Sequence, residues 1–241
     1  MKLSAHQLNF LPYPGLIAKI NYSDQFIYLT KIQFEKKSWQ SRNQIINNNN
    51  TLPLLLSVPI KNKDKLKNIE DVEIDNEKDW KKKHLKSISI NYKKSTYYSK
   101  YITFFEQLYS LKWEKIEDLN ICILKYLINE LNIKTEILSD KKFNFKKKNN
   151  ELLIEMCEKT NASTYISNRG SENYVDIETF KKKKINHYFV NYKNYKYNQN
   201  QVSFIPNLTI FDMLFFCGQK KTENIIKDTN NIDISKNFEK L

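Results

Sequence analysis

Lys2-Leu3-Ser4-Ala5-His6-Gln7-Leu8-Asn9-Phe10-Leu11-Pro12-Tyr13-Pro14-Gly15 is the stretch on which the reading of this chain turns. Its first four residues alternate polar and apolar, as a short strand with one buried face does. Ala5 to Gly15 then gathers one of three histidines, two of five prolines and one of three glycines, so polar side chains leave a strand into a constrained turn. Loops held by rigid elements are where binding and catalytic groups concentrate. A surface turn with an incidental histidine is the plain alternative.

Outward from this loop, Tyr13 to Tyr22 suits a short helix entered near Pro14, whose missing N–H costs nothing at a first helical position. Gln25-Phe26-Ile27-Tyr28-Leu29-Thr30 follows as a buried strand rich in β-branched and aromatic residues. Strand, loop, helix and strand make a βαβ unit. His6 and Gln7 then stand at the carboxyl end of a parallel strand, where open α/β sheets bind ligands.

The same rhythm returns after Ile133: a strand at Thr135 to Leu138, a helix at Glu151 to Thr160 and a strand at Thr164 to Ser167. The turn Asn168-Arg169-Gly170-Ser171, a helix at Glu172 to Lys184 and a strand at Ile185 to Val190 complete it. Between these halves, Ser99 to Trp113 and Ile116 to Leu131 carry apolar stripes at helical spacing. Leu52 to Ile60 reads as an edge strand marked by Pro53 and Pro59, and Lys61 to Asp79 as a surface connection with one short strand. Pro206 opens and Gly218 closes a very apolar helix, and the residues beyond Lys220 are expected to fray. The predicted fold is α/β: a mostly parallel Rossmann-like sheet flanked by helices, with a helical insertion in the middle at about residues 95–132. Residues 1–220 make a single domain on this reading, and 221–241 a polar C-terminal tail.

A chain of 241 residues buries about 70–75% of its unfolded surface, enough for a core without staples. The net charge of +13 would draw phosphates, polyanions or anionic lipid. Lys, Asn and Ile are nevertheless abundant everywhere and Gly is scarce, the codon habit of an AT-rich genome, which weakens charge as a sign of a partner. Basic residues interleave with aromatics, as nucleic-acid binding requires, at Tyr92 to Tyr101 and Asn191 to Tyr197. Tyrosines packing beside solvated lysines are the favoured explanation there. Cys122, Cys157 and Cys217 sit apart in apolar runs without metal-ligand spacing, so reduced, buried thiols and no metal are expected. No apolar run approaches the ~18 residues of a bilayer span. Met1-Lys2 leads into no secretory leader, and a cytoplasmic protein is expected.

Three other places hold candidate groups. Lys37-Ser38-Trp39-Gln40-Ser41-Arg42-Asn43-Gln44-Ile45 combines a stacking indole, a guanidinium fork and amides, which suit a sugar or phosphate; a loop with one anchoring Trp is the plain reading. His84 stands beside Lys81, Lys82 and Lys83, whose like charge would lower its pKa; a helix-surface position is the commoner case. Asp212 lies inside the apolar helix and needs a partner, backbone amides being the plain one.

His6-Gln7-Leu8-Asn9-Phe10-Leu11-Pro12, Lys37 to Ile45, Tyr165-Ile166-Ser167 with Gly170 and Tyr174, Tyr197 with Gln199, and Phe204 to Gly218 resemble the WbqC-like family of bacterial polysaccharide-locus proteins. The resemblance covers nearly the full length. Leu8 stands where the family's opening motif has Pro, Phe10 where it has Tyr, and Tyr13 where it has Trp; Ser167-Asn168 replaces a frequent Ser-Gly. The resemblance implies an enzyme of O-antigen or capsule synthesis that transfers glycine or another aminoacyl group to the amine of a nucleotide-linked amino sugar. His6 is then the candidate base, because acyl transfer to an amine needs a proton acceptor. Gln7 and Asn9 hold polar groups of the donor or sugar, Arg42 and Arg169 bind phosphate, and Asp212 orients a partner. Trp39, Asn43, Ser167, Gly170, Tyr174, Tyr197 and Gln199 complete the substrate-binding set. The donor is an activated one, aminoacyl-tRNA or ATP with an amino acid, and no P-loop, nucleophile or acyl-carrier motif identifies it.

Two alternatives stand beside this. An ATP-dependent nucleotidyl-transfer or ligase-type enzyme shares the layout of strand, His-bearing loop and helix, although the paired-histidine motif is missing. A non-catalytic module would bind a sugar nucleotide or nucleic acid through the aromatic-basic stretches.

Overall fold

The computed structural model describes residues 1–49, 52–61, 64, 66–173 and 175–236. In chain order the strands are β1 (Lys2–Gln7), β2 (Gln25–Leu29), β3 (Arg42–Ile45), β4 (Leu54–Ser57), β5 (Glu136–Ser139), β6 (Thr164–Asn168), β7 (Asn186–Tyr192) and β8 (Ile232–Lys236). The helices are α1 (Pro14–Tyr22), α2 (Trp80–Tyr92), α3 (Tyr98–Ser110), α4 (Ile116–Glu130), α5 (Asn149–Thr160), α6 (Ile177–Lys182) and α7 (Ile210–Lys227). Six strands form the main sheet in the order β5-β2-β1-β6-β7-β8. All neighbours run parallel except β8, which pairs antiparallel with β7 at the edge.

This order has a consequence for function. From β1 the chain moves to β2 and β5 on one side, then crosses to β6 and β7 on the other. The direction of winding reverses between β1 and β6, and such a switch point opens a crevice at the carboxyl ends of the strands.

The two-residue period of the strands sorts their side chains onto two cores. Leu3, Ala5, Ile27, Tyr165 and Phe189 face α5 and α6, meeting Met156, Cys157 and Phe180. Phe26, Ile166 and Val190 face the other way, onto Ile17 and Ile20 of α1 and Phe211 and Leu214 of α7. In α3, Tyr101, Phe105, Leu108 and Tyr109 form the inward stripe. The insertion is fastened to α7 through aromatic rings: Phe105 lies 4.8 Å from Phe211, and Tyr92 stacks on Phe215 at 4.2 Å.

Several elements depart from the sequence expectation. The insertion begins at Trp80 with α2, ahead of residue 95. The stretch 52–60 narrows to β4, which pairs with β3 in a separate two-stranded sheet, so the Lys37–Ile45 stretch ends in a strand. Residues 61–79 carry isolated bridges, Ile60 to Ile74 and Glu73 to Lys115, in place of a strand among the described residues. The helix expected at 172–184 starts only at Ile177, where the Asp176 carboxylate accepts from the Glu178 and Thr179 amides and so fixes the start. Gly218 does not stop α7. At φ +73 and ψ 175 it kinks the helix, which continues to Lys227. The stretch beyond Lys220 is built into the fold as far as Lys236, because Ile225, Ile226 and Ile232 are buried. Residues 237–241 of that stretch lie outside the described residues. No helix is long and apolar enough to cross a membrane among the described residues.

Candidate functional site

Pairing of β1 with β2 runs on to Gln7 opposite Leu29, whereas pairing with β6 ends at Ser4 opposite Ile166. β1 and β6 part there, and the Ala5 carbonyl accepts a hydrogen bond from Lys19 Nζ at 3.1 Å. Lys19 is only 2% exposed, the one charged residue in the apolar run Leu16-Ile17-Ala18-Lys19-Ile20. Burial pulls its pKa from 10.5 down to about 7, and no carboxylate offsets the shift. Beside it a cavity of about 280 Å³ is lined by Tyr13, Gly15, Lys19, Asn168, Arg169 and Gly170. A Cβ at Gly15 would collide with the Tyr13 ring and come within 3.0 Å of Tyr192 Cβ, so this wall closes only around glycine.

His6 shares the α1 side of β1 with Ser4, which is bonded to Ser23 at the end of α1. Its Nδ1 is 2.8 Å from the Gln7 carbonyl. A carbonyl only accepts, so Nδ1 carries the proton and Nε2 is a bare acceptor. Burial first, and then the charge of Lys19, push the His6 pKa down to about 3. The imidazole is therefore neutral, and it is a far weaker base than a catalytic group matched to neutral pH.

The residues from Lys37 to Ile45 hold the opening loop. Gln40 Nε2 donates to Gln7 Oε1 at 2.7 Å, and Phe10 N donates to the Trp39 carbonyl at 2.9 Å. Asn43 Nδ2 donates to the Phe10 and Leu11 carbonyls at 3.3 and 2.6 Å. Leu11 sits at φ +45, a backbone that a leucine adopts only under such restraint. Asn43 is thus a buried clamp, and Asn9 is buried with an Oδ1 that has no partner among the described residues. Trp39 is exposed and has the Arg42 guanidinium 6.0 Å from its ring. Arg42 lines a second cavity of about 180 Å³ with Lys36 and Lys37, while Arg169 lines the first. The two arginines read together as one phosphate site thus stand at different cavities.

After β6, Ser167 Oγ lies 2.9 Å from His187 Nε2. Both are buried, and His187 is held down to about pKa 4 by burial among Phe180, Phe189 and Tyr165. Arg169 is exposed and 3.4 Å from Glu172. Gly170 has open space where a Cβ would stand. Tyr174 lies outside the described residues.

Asp212 is fully buried and is not served by backbone amides. Its carboxylate accepts from Tyr92 Oη at 2.8 Å, Tyr197 Oη at 2.6 Å and Gln199 Nε2 at 2.9 Å. Burial raises its pKa to about 6 against the pull of those three donors. Tyr197, Gln199 and Asp212 therefore meet one another, and none of them bonds to His6 or Lys19 among the described residues. His84 corrects the surface reading. It is 4% exposed, accepts from Ser57 N at 3.1 Å, and is lowered to about pKa 4 by burial, with no contribution from the neighbouring lysines. The reason is helical phase: Trp80, His84 and Ile88 face inward, and Lys81, Lys82 and Lys83 do not.

Lys19 was missed by sequence reasoning. Its signal was a lone charge inside the most apolar turn of α1, directly after the motif that drew the eye. The carboxylate cluster around Asp212 was legible only in part, because Tyr92 is 120 residues away.

An open, doubly wound α/β protein with a polar cavity at its switch point is what fold and site define. A model of the WbqC-like protein family matches residues 7–224, and the chain belongs to that family. It is similar to the uncharacterized protein Rv1507c of Mycobacterium tuberculosis, 26% identical over 219 residues that cover 90% of this chain and 94% of the relative. No solved structure matches the chain.

Proposed function

We propose that this protein is a transferase of surface-polysaccharide synthesis that places glycine, or another aminoacyl or acyl group, on the amine of a nucleotide-linked amino sugar. The observation that carries the reading is the switch-point cavity, where a buried lysine without counter-charge meets Asn168 and Arg169 close to the neutral His6. A nucleotide diphosphate is the anion that such a pocket favours, and the amino sugar beyond it supplies the nucleophile. At about 280 Å³ the cavity suits a sugar with its phosphates rather than a whole nucleotide sugar.

In the transfer, the attacking amine gives up a proton. His6 Nε2 is a bare acceptor close to the carboxyl end of β1. A bound phosphate would favour the imidazolium and lift the His6 pKa toward the working range, so base strength would arrive with the substrate. Gln7 and Asn9 at the opening loop and the exposed Trp39 of the stretch bonded to it suit the sugar or the donor. The donor is an activated aminoacyl group, aminoacyl-tRNA or an aminoacyl adenylate made from ATP and an amino acid; as the amide C–N bond forms, the acyl C–O bond breaks and the tRNA 3′-hydroxyl or AMP leaves.

The test is direct. The protein is incubated with nucleotide-linked amino sugars and either glycyl-tRNA or ATP with glycine, and the sugar nucleotide is weighed by mass spectrometry. The expected product carries one added glycyl group, and His6→Ala abolishes its formation without changing the circular dichroism. Full transfer by His6→Ala removes the base role. Absence of product with every donor, together with thermal stabilisation by ATP alone, would favour nucleotidyl transfer.

A further inference from the structure

We propose that the switch-point cavity is an anion site in which the Lys19 ammonium is the buried counter-charge of a phosphate or carboxylate, and that filling it draws a proton onto the protein. The inference rests on reading this cavity as the ligand site and leaves the transferred group open.

Among the described residues the Lys19 ammonium makes one hydrogen bond, to the Ala5 carbonyl. An ammonium has three donors, so two have no protein partner among the described residues. The carbonyl alone does not explain the charge, since a neutral donor would satisfy it. Around Lys19 stand His6 of β1, Tyr13 at the entry to α1, Arg169 after β6 and Tyr192 of β7, and none is anionic at neutral pH. The acids of α7, packed on α1, are engaged elsewhere: Asp212 by Tyr92, Tyr197 and Gln199, and Glu223 by Lys227 and Asn132. A buried cation with no anion of its own is costly, and an apolar residue in its place would pack as well.

The ligand that balances this site is negative and small. Lys19 closes the cavity on one wall and the Arg169 side chain, 63% exposed and ion-paired to Glu172 at 3.4 Å, flanks the other, so Lys19 is the cation left without a carboxylate and the anion would share Arg169 with Glu172. Amides of Asn168 and Asn191 on the same walls can donate to its oxygens. Because burial brings the Lys19 pKa down to about 7, a fraction of the empty protein carries a neutral amine at pH 7. A bound anion restores the ammonium, and the missing proton comes from solvent.

Isothermal titration at pH 7 tests this with pyrophosphate and uridine diphosphate as phosphate probes and with glycine and acetate as carboxylate probes. Each titration is run in two buffers of different ionisation enthalpy. One probe class is expected to bind with net proton uptake, seen as a heat that differs between the two buffers. Lys19→Gln, which keeps a donor for Ala5, and Lys19→Met are expected to weaken that binding at least about tenfold while melting no lower than the parent. The class that binds identifies the anion as phosphate or carboxylate. Failure of all four probes to bind the parent protein overturns the site, as does undiminished binding by folded Lys19→Gln. Heats that do not depend on buffer overturn the proton coupling. A protein that binds through Lys19 but transfers nothing keeps this site and loses the transferase reading. Normal transfer by Lys19→Gln loses this site alone.

Discussion

A lysine buried without a counter-charge destabilises the protein wherever it is protonated. The unfolded chain holds the Lys19 proton up to about pH 10.5, whereas the folded protein releases it near 7. Between those values the unfolded state binds more protons, so stability rises with pH across that window. Lys19→Met removes the group, and its melting temperature should exceed the parent's most at or below pH 7, the gap closing toward pH 10. A gap that does not change with pH would contradict the burial. Tyr92 offers the opposite case, a polar group that is fully used. Its hydroxyl donates to Asp212 and accepts from Ile46 N at 3.2 Å. Tyr92→Phe leaves both partners short and should cost about 1–3 kcal/mol in urea unfolding.

At the scale of elements, two glycines that look alike in the sequence separate cleanly. Gly218 holds φ +73 in the middle of α7, and a Cβ there would lie 2.5 Å from Tyr97 Cζ. Gly218→Ala should therefore cost about 1–3 kcal/mol from the backbone alone, because φ +73 with ψ 175 is a conformation kept almost entirely for glycine. It should also loosen the approach of Tyr97 N to the Phe215 carbonyl, now 3.0 Å. Gly170 has nothing within 4 Å of the same atom, so Gly170→Ala should stay within about 0.5 kcal/mol of the parent by thermal melting. Sequence patterning was a good guide where one face of an element meets the core. The stripes of α3 and α4 and the strands β1, β2, β6 and β7 follow from period alone, as does the place of His6 and Gln7 at a carboxyl end. It was a poor guide where the partner is distant. Gly218 kinks the helix through its non-helical backbone, with the Tyr97 ring filling the place of a Cβ, and the polar stretch after it folds because three isoleucines reach the core.

At the scale of the whole molecule, all three histidines are depressed, the half-buried His6 to about 3 and the buried His84 and His187 to about 4. As pH falls below 6.5 the unfolded chain takes up protons that the folded protein refuses, and stability drops through the window down to those values. Asp212 acts in the opposite sense. Its folded pKa of about 6 lies above the ordinary 3.8, so it favours the fold as pH falls toward 4. Three groups outweigh one, and the melting temperature should fall steadily from pH 6.5 to 4. A constant value across that range would show the imidazoles to be accessible to protons.

What the sequence by itself determined is the α/β class, the helical middle and the family to which the chain belongs. These depend on local period, on turn residues and on motifs a few residues long. Only the tertiary structure decided the site. It set Arg42 and Arg169 at separate cavities, joined Asp212 to Tyr92 and Tyr197, and took His84 from the surface into the core. It also turned Lys19 from an unremarked residue into a buried cation beside the opening loop. The physical reason is that charge and proton affinity depend on burial and on neighbours brought together by the crossing of strands. Neither is a property of the residues along the chain.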